Sequence, residues 1–537
     1  GLRRELAGLG VAVRAKGDLR AWVDYGRWIP QALPVMRLLA ISLVLAGAGL
    51  AALAQTNGPD ARKVSLEDCI QGALAKNLDL RIARYNPTLA MTDLQAAYAG
   101  YDPSFSIAGA HNNNTSGGGF SPSIGNIPAT TTDKNGFESS LGGIAPWGLN
   151  YSLQGAVSES YGSRYADPLT MPFDNSSGSA SITMTQPLLK NFWIDKTRFN
   201  IKVAKNRIKY SELGLKQAIM STVTTVEQAY YDLIYARENV TVQEKAVELA
   251  MQLVRENKKR VEVGSLAPLD EQQAEAQAAS SQATLIAARN SLSVQQNTLK
   301  QLITDNYATS EPVGLQPSAS LGASVHVFDK QISWSKGLND RPDLLQAKLD
   351  LERQGITLKY TFNQLFPQLD LVGSYGHGAG GTGIAEYSQA LDQMAEGSRP
   401  FYSYGAQMTF PLSNTGARAA HKRSKLEMEQ LVLTLKKLEQ AIMVTIDNDI
   451  KQAQSSYQQV AATRAAREYA AAALDAEQKK LANGKSTTYT VLQLQRDLTN
   501  ARGNEIQALA TYNKALAQLS LDEASTLDRL NINVEVK

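Results

Sequence analysis

Residues 77–84 read NLDLRIAR, and residues 341–348 read RPDLLQAK. Asp79 stands opposite Asp343, Leu80 opposite Leu344, and Arg84 opposite a second cation, Lys348, all at an offset of 264 positions. A catalytic site needs writing only once, so the match points to a duplicated structural unit. Pro103 and Pro367 keep the same offset. Further on, Met184, Thr185, Pro187 and Leu188 return as Met408, Thr409, Pro411 and Leu412.

The long segments of each copy are helical. Ile219, Val226, Leu233, Val240, Val247, Val254 and Val261 recur at every seventh residue. Such a heptad implies packed, supercoiled helices. The segment Thr197–Val263 would reach roughly 100 Å at 1.5 Å per residue. Gly264 and Pro268 end it, and a second helix is expected from about Leu269 to Thr304. Ile446, Ala453, Val460, Leu474 and Leu481 repeat the heptad 220 residues later, with Arg467 interrupting it, and Gly484 answers Gly264. The N-terminal stretch Ser65–Gly100 also reads as helix, with Ser65 and Asp68 as a capping box and a kink or restart at Asn86-Pro87.

Between the helical segments the period changes to two. In WGLNYSLQGAV (147–157), Trp147, Leu149, Tyr151 and Leu153 alternate with Gly148, Asn150, Ser152 and Gln154, the pattern of a two-faced strand. Shorter strand candidates are Pro103–Ala110, Phe137–Ala145 and Ser179–Gln186 in the first copy, with QLDLVGSYG and YSYGAQMTFPL in the second. The polar runs HNNNTSGGG and DNSSGS read as loops.

Composition bounds the function. The 537 residues carry a net charge of +3 and are 43% hydrophobic but only 7% aromatic, with one cysteine. No basic stripe predicts nucleic-acid binding, and Cys69 alone cannot build a disulfide framework. Residues 36–54 read as a secretory signal peptide cut after Ala54, with 1–35 as upstream translation without structural meaning. No second helical membrane span is expected, so any membrane crossing falls to strands. GAGGTG (378–383) matches a dinucleotide fingerprint in spelling, but IAEYSQALDQM, the run after it, is a poor βαβ continuation. The four histidines are scattered, so no metal site or cofactor is expected. Asp447 and Asp449 fit a solvated helix face, with a lumen-facing position left open.

Strands in a bilayer must close into a barrel. Two convincing strands per copy plus an additional hairpin (Phe137–Val157) are too few for a roomy single-chain pore. Several chains must share one barrel, above helices long enough to cross an aqueous compartment.

In their order and duplication, SLEDCIQGALAKNLDL, RPDLLQAK, LFPQLDLVGSYG, TQPLL, TFPL and the two glycine turns resemble the TolC-type outer membrane factors of Gram-negative bacteria. The resemblance covers about Ser65 to Leu521. It implies an α+β membrane protein: a homotrimeric outer membrane β-barrel, four strands per subunit and twelve in all, continuous with a long periplasmic α-helical barrel. The copies would be residues 65–304 and 330–521, joined by a linker at 305–329 and followed by a tail at 522–537. It implies a passive exit duct for efflux or type I secretion, set in outer membrane lipid and driven by an inner-membrane pump through a periplasmic adaptor. The tip residues Val263, Gly264 and Ser265, with Asn483, Gly484 and Lys485, would meet the adaptor; helix C-caps in which glycine supplies positive φ are the alternative. The acidic pore constriction of well-known members aligns with Thr490 and Gln493, both uncharged. Asp270, their first-copy counterpart, fits either a weakly cation-favouring ring or a solvated helix N-terminus.

Pro103, Pro187, Pro367 and Pro411 fall at strand–helix junctions, where a residue lacking an N–H can end one pattern. Trp147, Tyr151, Phe192, Trp193, Tyr402 and Tyr404 suit an interfacial aromatic belt. The rival reading is an exported coiled-coil protein without a pore, a periplasmic adaptor or surface fibre, against which the paired alternating strands argue.

Overall fold

The computed structural model describes residues 62–166, 169–380 and 384–532. The upstream segment 1–35 and the signal peptide 36–54 lie outside the described residues. The first copy runs α1 (Leu66–Lys76), α2 (Leu78–Ala83), α3 (Tyr85–Tyr98), β1 (Ser104–Ser116), β2 (Thr130–Ile144), β3 (Asn150–Ala166), β4 (Leu169–Pro187), α4 (Lys196–Glu262) and α5 (Pro268–Ile303). The second runs α6 (Lys330–Asp340), α7 (Pro342–Asn363), β5 (Gln368–Ala379), α8 (Tyr387–Glu396), β6 (Pro400–Thr409), α9 (Thr415–Ala482) and α10 (Thr488–Asp522).

The repeated phrase is a joint. In both copies a helix stops and restarts one or two residues before the Asp-Leu pair, at Asn77 and at Arg341. Asn77 Oδ1 accepts from the Leu80 N–H at 3.1 Å, and its amide donates to the Leu302 carbonyl at 3.0 Å. Arg341 Nη1 donates to the Asp522 carbonyl at 3.2 Å. Leu302 and Asp522 are themselves 220 positions apart, the offset of the long helices. Each phrase therefore ties the entry of its copy to the C-terminal end of that copy's last helix. Leu80 and Leu344, equivalent in the repeat, are both 1% exposed. The break at Asn77 was hidden in the sequence, because Asn within an otherwise helical pattern signals a cap only once its partner is known. A second restart, at Tyr85 just before Pro87, follows the proline as expected.

Helices α4 and α9 are 67 and 68 residues long, so each spans roughly 100 Å. Each doubles back through a short turn into α5 or α10. In α9 the heptad residues Ile446, Ala453, Val460, Leu474 and Leu481 are all buried. In α4 the stripe holds from Ile219 to Val240 and then slides by one residue: Leu253 is buried while Val247, Val254 and Val261 are half-buried. Leu253 enters the second hairpin, packing with Leu474, Leu481, Val491, Leu492 and Leu498, so the two hairpins are joined near their tips.

The strands form one sheet in the order β6-β5-β4-β3-β2-β1, with every neighbouring pair antiparallel. The sheet holds six strands where the family resemblance implied four; β2 and β3 are the additional hairpin, hydrogen-bonded on both flanks. Two runs read as loops are strand: His111–Ser116 belongs to β1, and Asp174–Ser179 belongs to β4. Cross-strand polar pairs hold β1 there, with His111 Nδ1 2.7 Å from Asn135 Oδ1 and Asn113 Nδ2 donating to Asp133 Oδ1 at 2.6 Å. Such pairs leave no apolar alternation to read.

The ladders align the faces. Phe105, Leu141, Leu153, Ile182, Tyr375 and Tyr402 form one apolar row across all six strands. On the opposite face Ser104, Gly142, Ser152, Thr183, Ser374 and Ser403 form a row of small and hydroxyl residues. The short helix α8 folds back over the apolar face at the end far from the long helices, where the Tyr387 ring meets Phe137 edge-on at 5.9 Å.

Candidate functional site

The hairpin tips are built alike. Gly264 has φ +73° and Gly484 φ +69°. At the first tip the Gly264 N–H donates to Val261 O at 2.9 Å and the Ser265 N–H to Arg260 O at 2.7 Å. At the second, Gly484 N–H donates to Leu481 O at 3.1 Å and Lys485 N–H to Lys480 O at 2.9 Å. This pair of bonds closes a helix end only when the residue after the cap is left-handed, hence glycine. Val263 and Asn483 are the C-cap residues, and both, with Ser265 and Lys485, are exposed.

The constriction candidates sit just beyond, in the first turns of the return helices. Asp270 is half-buried in α5, and its carbonyl accepts from the buried Asn257 amide at 3.2 Å. Thr490 shares a 2.9 Å hydroxyl–hydroxyl bond with Thr487, the cap of α10, while Gln493 is exposed. The four prolines stand at sheet ends: Pro103 and Pro367 immediately before β1 and β5, Pro187 as the last residue of β4, Pro411 two residues after β6. Trp147, in the turn before β3, and Trp193, after β4, are 62% and 77% exposed on the helix side of the sheet.

A charged cluster ties the entry of the second copy to the end of its last helix. Arg341 grips Asp343 with two bonds, at 3.0 and 2.8 Å, and reaches Asp522 Oδ1 at 2.9 Å. Burial opposes the Asp343 charge, but the Arg341 contacts hold its carboxyl below the usual range. Asp449 of α9 faces Asp522. Burial first, and then the Asp522 carboxylate, push Asp449 up to about 7, with Arg341 opposing. Its Oδ2 is buried without a donor, the situation a shared proton relieves. Nearby, Arg529 donates to both oxygens of Glu227, at 2.8 and 2.6 Å, and the Glu227 side chain is fully buried. Lys330 pairs with Asp447, the repeat equivalent of Glu227, at 3.1 Å. Thus Glu227 is held by a cation that follows the second copy, and Asp447 by the residue that opens the second copy. Neither Asp447 nor Asp449 lies on a freely solvated face, because both turn into this junction. Sequence spacing pointed to neither partner, since Arg341 lies 181 residues from Asp522 and Glu227 lies 302 from Arg529.

The comparisons fit this architecture. The family model for outer membrane efflux proteins matches residues 148–304 and 334–521. The outer membrane efflux protein BepC of Brucella suis biovar 1 is 25% identical over 366 residues, covering 66% of this chain and 74% of that protein. The outer-membrane channel OprN is similar in structure with a TM-score of 0.63 at 14% identity, over 89% of this chain and 96% of its own. VceC of Vibrio cholerae gives 0.62 at 16%, over 85% and 95%. These two likenesses show the fold. With both halves of the sequence matched, over more than half its length, the chain belongs to the outer membrane efflux protein family and is an outer membrane exit duct reaching into the periplasm.

Proposed function

We propose that three copies of the chain assemble into one passive conduit. The sheets close into an outer membrane β-barrel, and the paired hairpins form a periplasmic tube beneath it. The observation that carries this is the two-faced sheet mounted on helical hairpins of roughly 100 Å in a single chain. An apolar face suits lipid and a hydroxyl face suits water only if the sheet is closed. The driving force comes from an inner-membrane pump. A periplasmic adaptor docks on the exposed tips, at Val263, Gly264 and Ser265 and at Asn483, Gly484 and Lys485. Asp270, with Thr490 and Gln493 on the second hairpin, lines the narrow end; the second hairpin adds no charge there, so any cation preference rests on Asp270 alone. Sedimentation of the detergent-extracted protein tests the stoichiometry. A particle of three chain masses supports the reading, and a monomer or dimer at all protein concentrations contradicts it.

A further inference from the structure

We propose that the β2–β3 hairpin is part of the membrane wall, so that the assembled barrel has eighteen strands, closed by pairing β6 of one copy with β1 of the next. This rests on the three-copy reading above.

Three observations carry it. First, the hairpin is integral to the sheet. β1 pairs with β2 from Ser104–Gly142 to Ser116–Thr130, and β3 pairs with β4 from Asn150–Thr185 to Ala166–Leu169. Second, the hairpin carries the same apolar row at the same height as its neighbours. Leu141 and Leu153 stand between Phe105 and Ile182 in the row that ends at Tyr375 and Tyr402. Phe105, Leu153, Tyr375 and Tyr402 are 68%, 42%, 51% and 73% exposed in the single chain. A hairpin standing in water above the bilayer has no reason to extend a lipid-facing row. Third, the two edges fit each other. Six strands joined by five antiparallel pairings leave β1 and β6 running in opposite directions, and every residue of both is exposed. A second copy of this chain therefore continues the ladder in the same antiparallel sense, and in a bilayer an unpaired edge is not tolerated.

The consequence is a wide outer gate. Barrel diameter grows roughly linearly with strand number, so eighteen strands give about one and a half times the diameter of twelve and leave an aqueous channel. The inward row is short and uncharged (Ser104, Gly142, Ser152, Thr183, Ser374, Ser403), with Ser374 and Ser403 hydroxyls 2.7 Å apart. Helix α8 then sits on the outer wall at the rim of the lipid band.

Arginine substitutions separate the alternatives, read as heat-resistant oligomer recovered from outer membranes. Leu153→Arg and the control Tyr375→Arg are each expected to lower the yield at least about tenfold, as for a charge set in lipid. Ser152→Arg, on the water-facing side of the same strand, is expected to assemble as wild type. Wild-type yield for Leu153→Arg beside a failing Tyr375→Arg would overturn the proposal while leaving the three-copy duct intact. Tolerance of both would sink the membrane-embedded sheet itself. Strand counting by electron microscopy in lipid nanodiscs decides independently: eighteen supports the proposal, and a twelve-strand trimer with the hairpin detached overturns it.

Discussion

Replacing Arg341 with alanine is expected to cost about 3–5 kcal/mol of stability, because it leaves partly buried carboxylates without their cation. Arg341 is 16% exposed and Asp522 12%, and among the described residues the guanidinium is the only cation bridging Asp343 to Asp522. Surface pairs such as Lys245–Glu248, with side chains 61% and 63% exposed, are screened by water and contribute far less. The loss also has a pH signature. A carboxyl raised from 3.8 to about 7 binds its proton more tightly in the folded state than in the unfolded one. Its contribution to stability is therefore full below pH 3.8 and is lost as pH rises to about 7. Without Arg341 the repulsion between Asp449 and Asp522 is worst above that range, so the variant should be weakest at alkaline pH. Asp449→Asn in the Arg341→Ala background should recover part of the loss there. Denaturant titration of the purified protein at pH 5 and pH 8.5 checks this. A variant as stable as wild type at both would show that the joint does not hold the entry of the second copy to its last helix.

The second large effect is expected in transport. Gly264→Val together with Gly484→Val should reduce export to a small fraction of wild type while the amount of assembled protein in the outer membrane stays the same. A β-carbon at either position meets nothing within 4 Å, so the effect cannot come from a clash. It comes from φ: a left-handed L-residue costs roughly 1–2 kcal/mol, enough to reshape a turn but small beside a hairpin buried along its length. Asparagine visits this region far more easily than a β-branched residue, so the corresponding Asn variants should keep most of the transport. Unimpaired export by the double valine variant would remove the tips from the adaptor contact.

Much of this molecule could be read from its sequence because it is periodic. Heptads, period-two alternation and the repeat at two fixed offsets each report a face or a copy directly. The glycine tips were legible for a similar reason, since helix ends that need positive φ select that residue. What escaped was non-periodic or long-range. The polar halves of β1 and β4 carry polar or small residues on both sides, so HNNNTS and DNSSGS look like loops although their backbones are laddered. The slip of the buried stripe in α4 follows the packing of Leu253 against the second hairpin, a partner more than 200 residues away. The Arg341 and Glu227 clusters depend on partners 181 and 302 residues away. Asn77 and Arg341 differ in type yet do the same job, each reaching the backbone at the end of its copy's last helix. The repetition was visible in the Asp-Leu pair, but the residues that give it a purpose precede that pair and do not match.

Single-channel recording tests the central claim most directly. The full chain, extracted from outer membranes and added alone to a planar lipid bilayer, should insert and give discrete, reproducible conductance steps without nucleotide or any other energy source. A protein that inserts but never conducts, or that stays soluble without detergent, would contradict a passive duct.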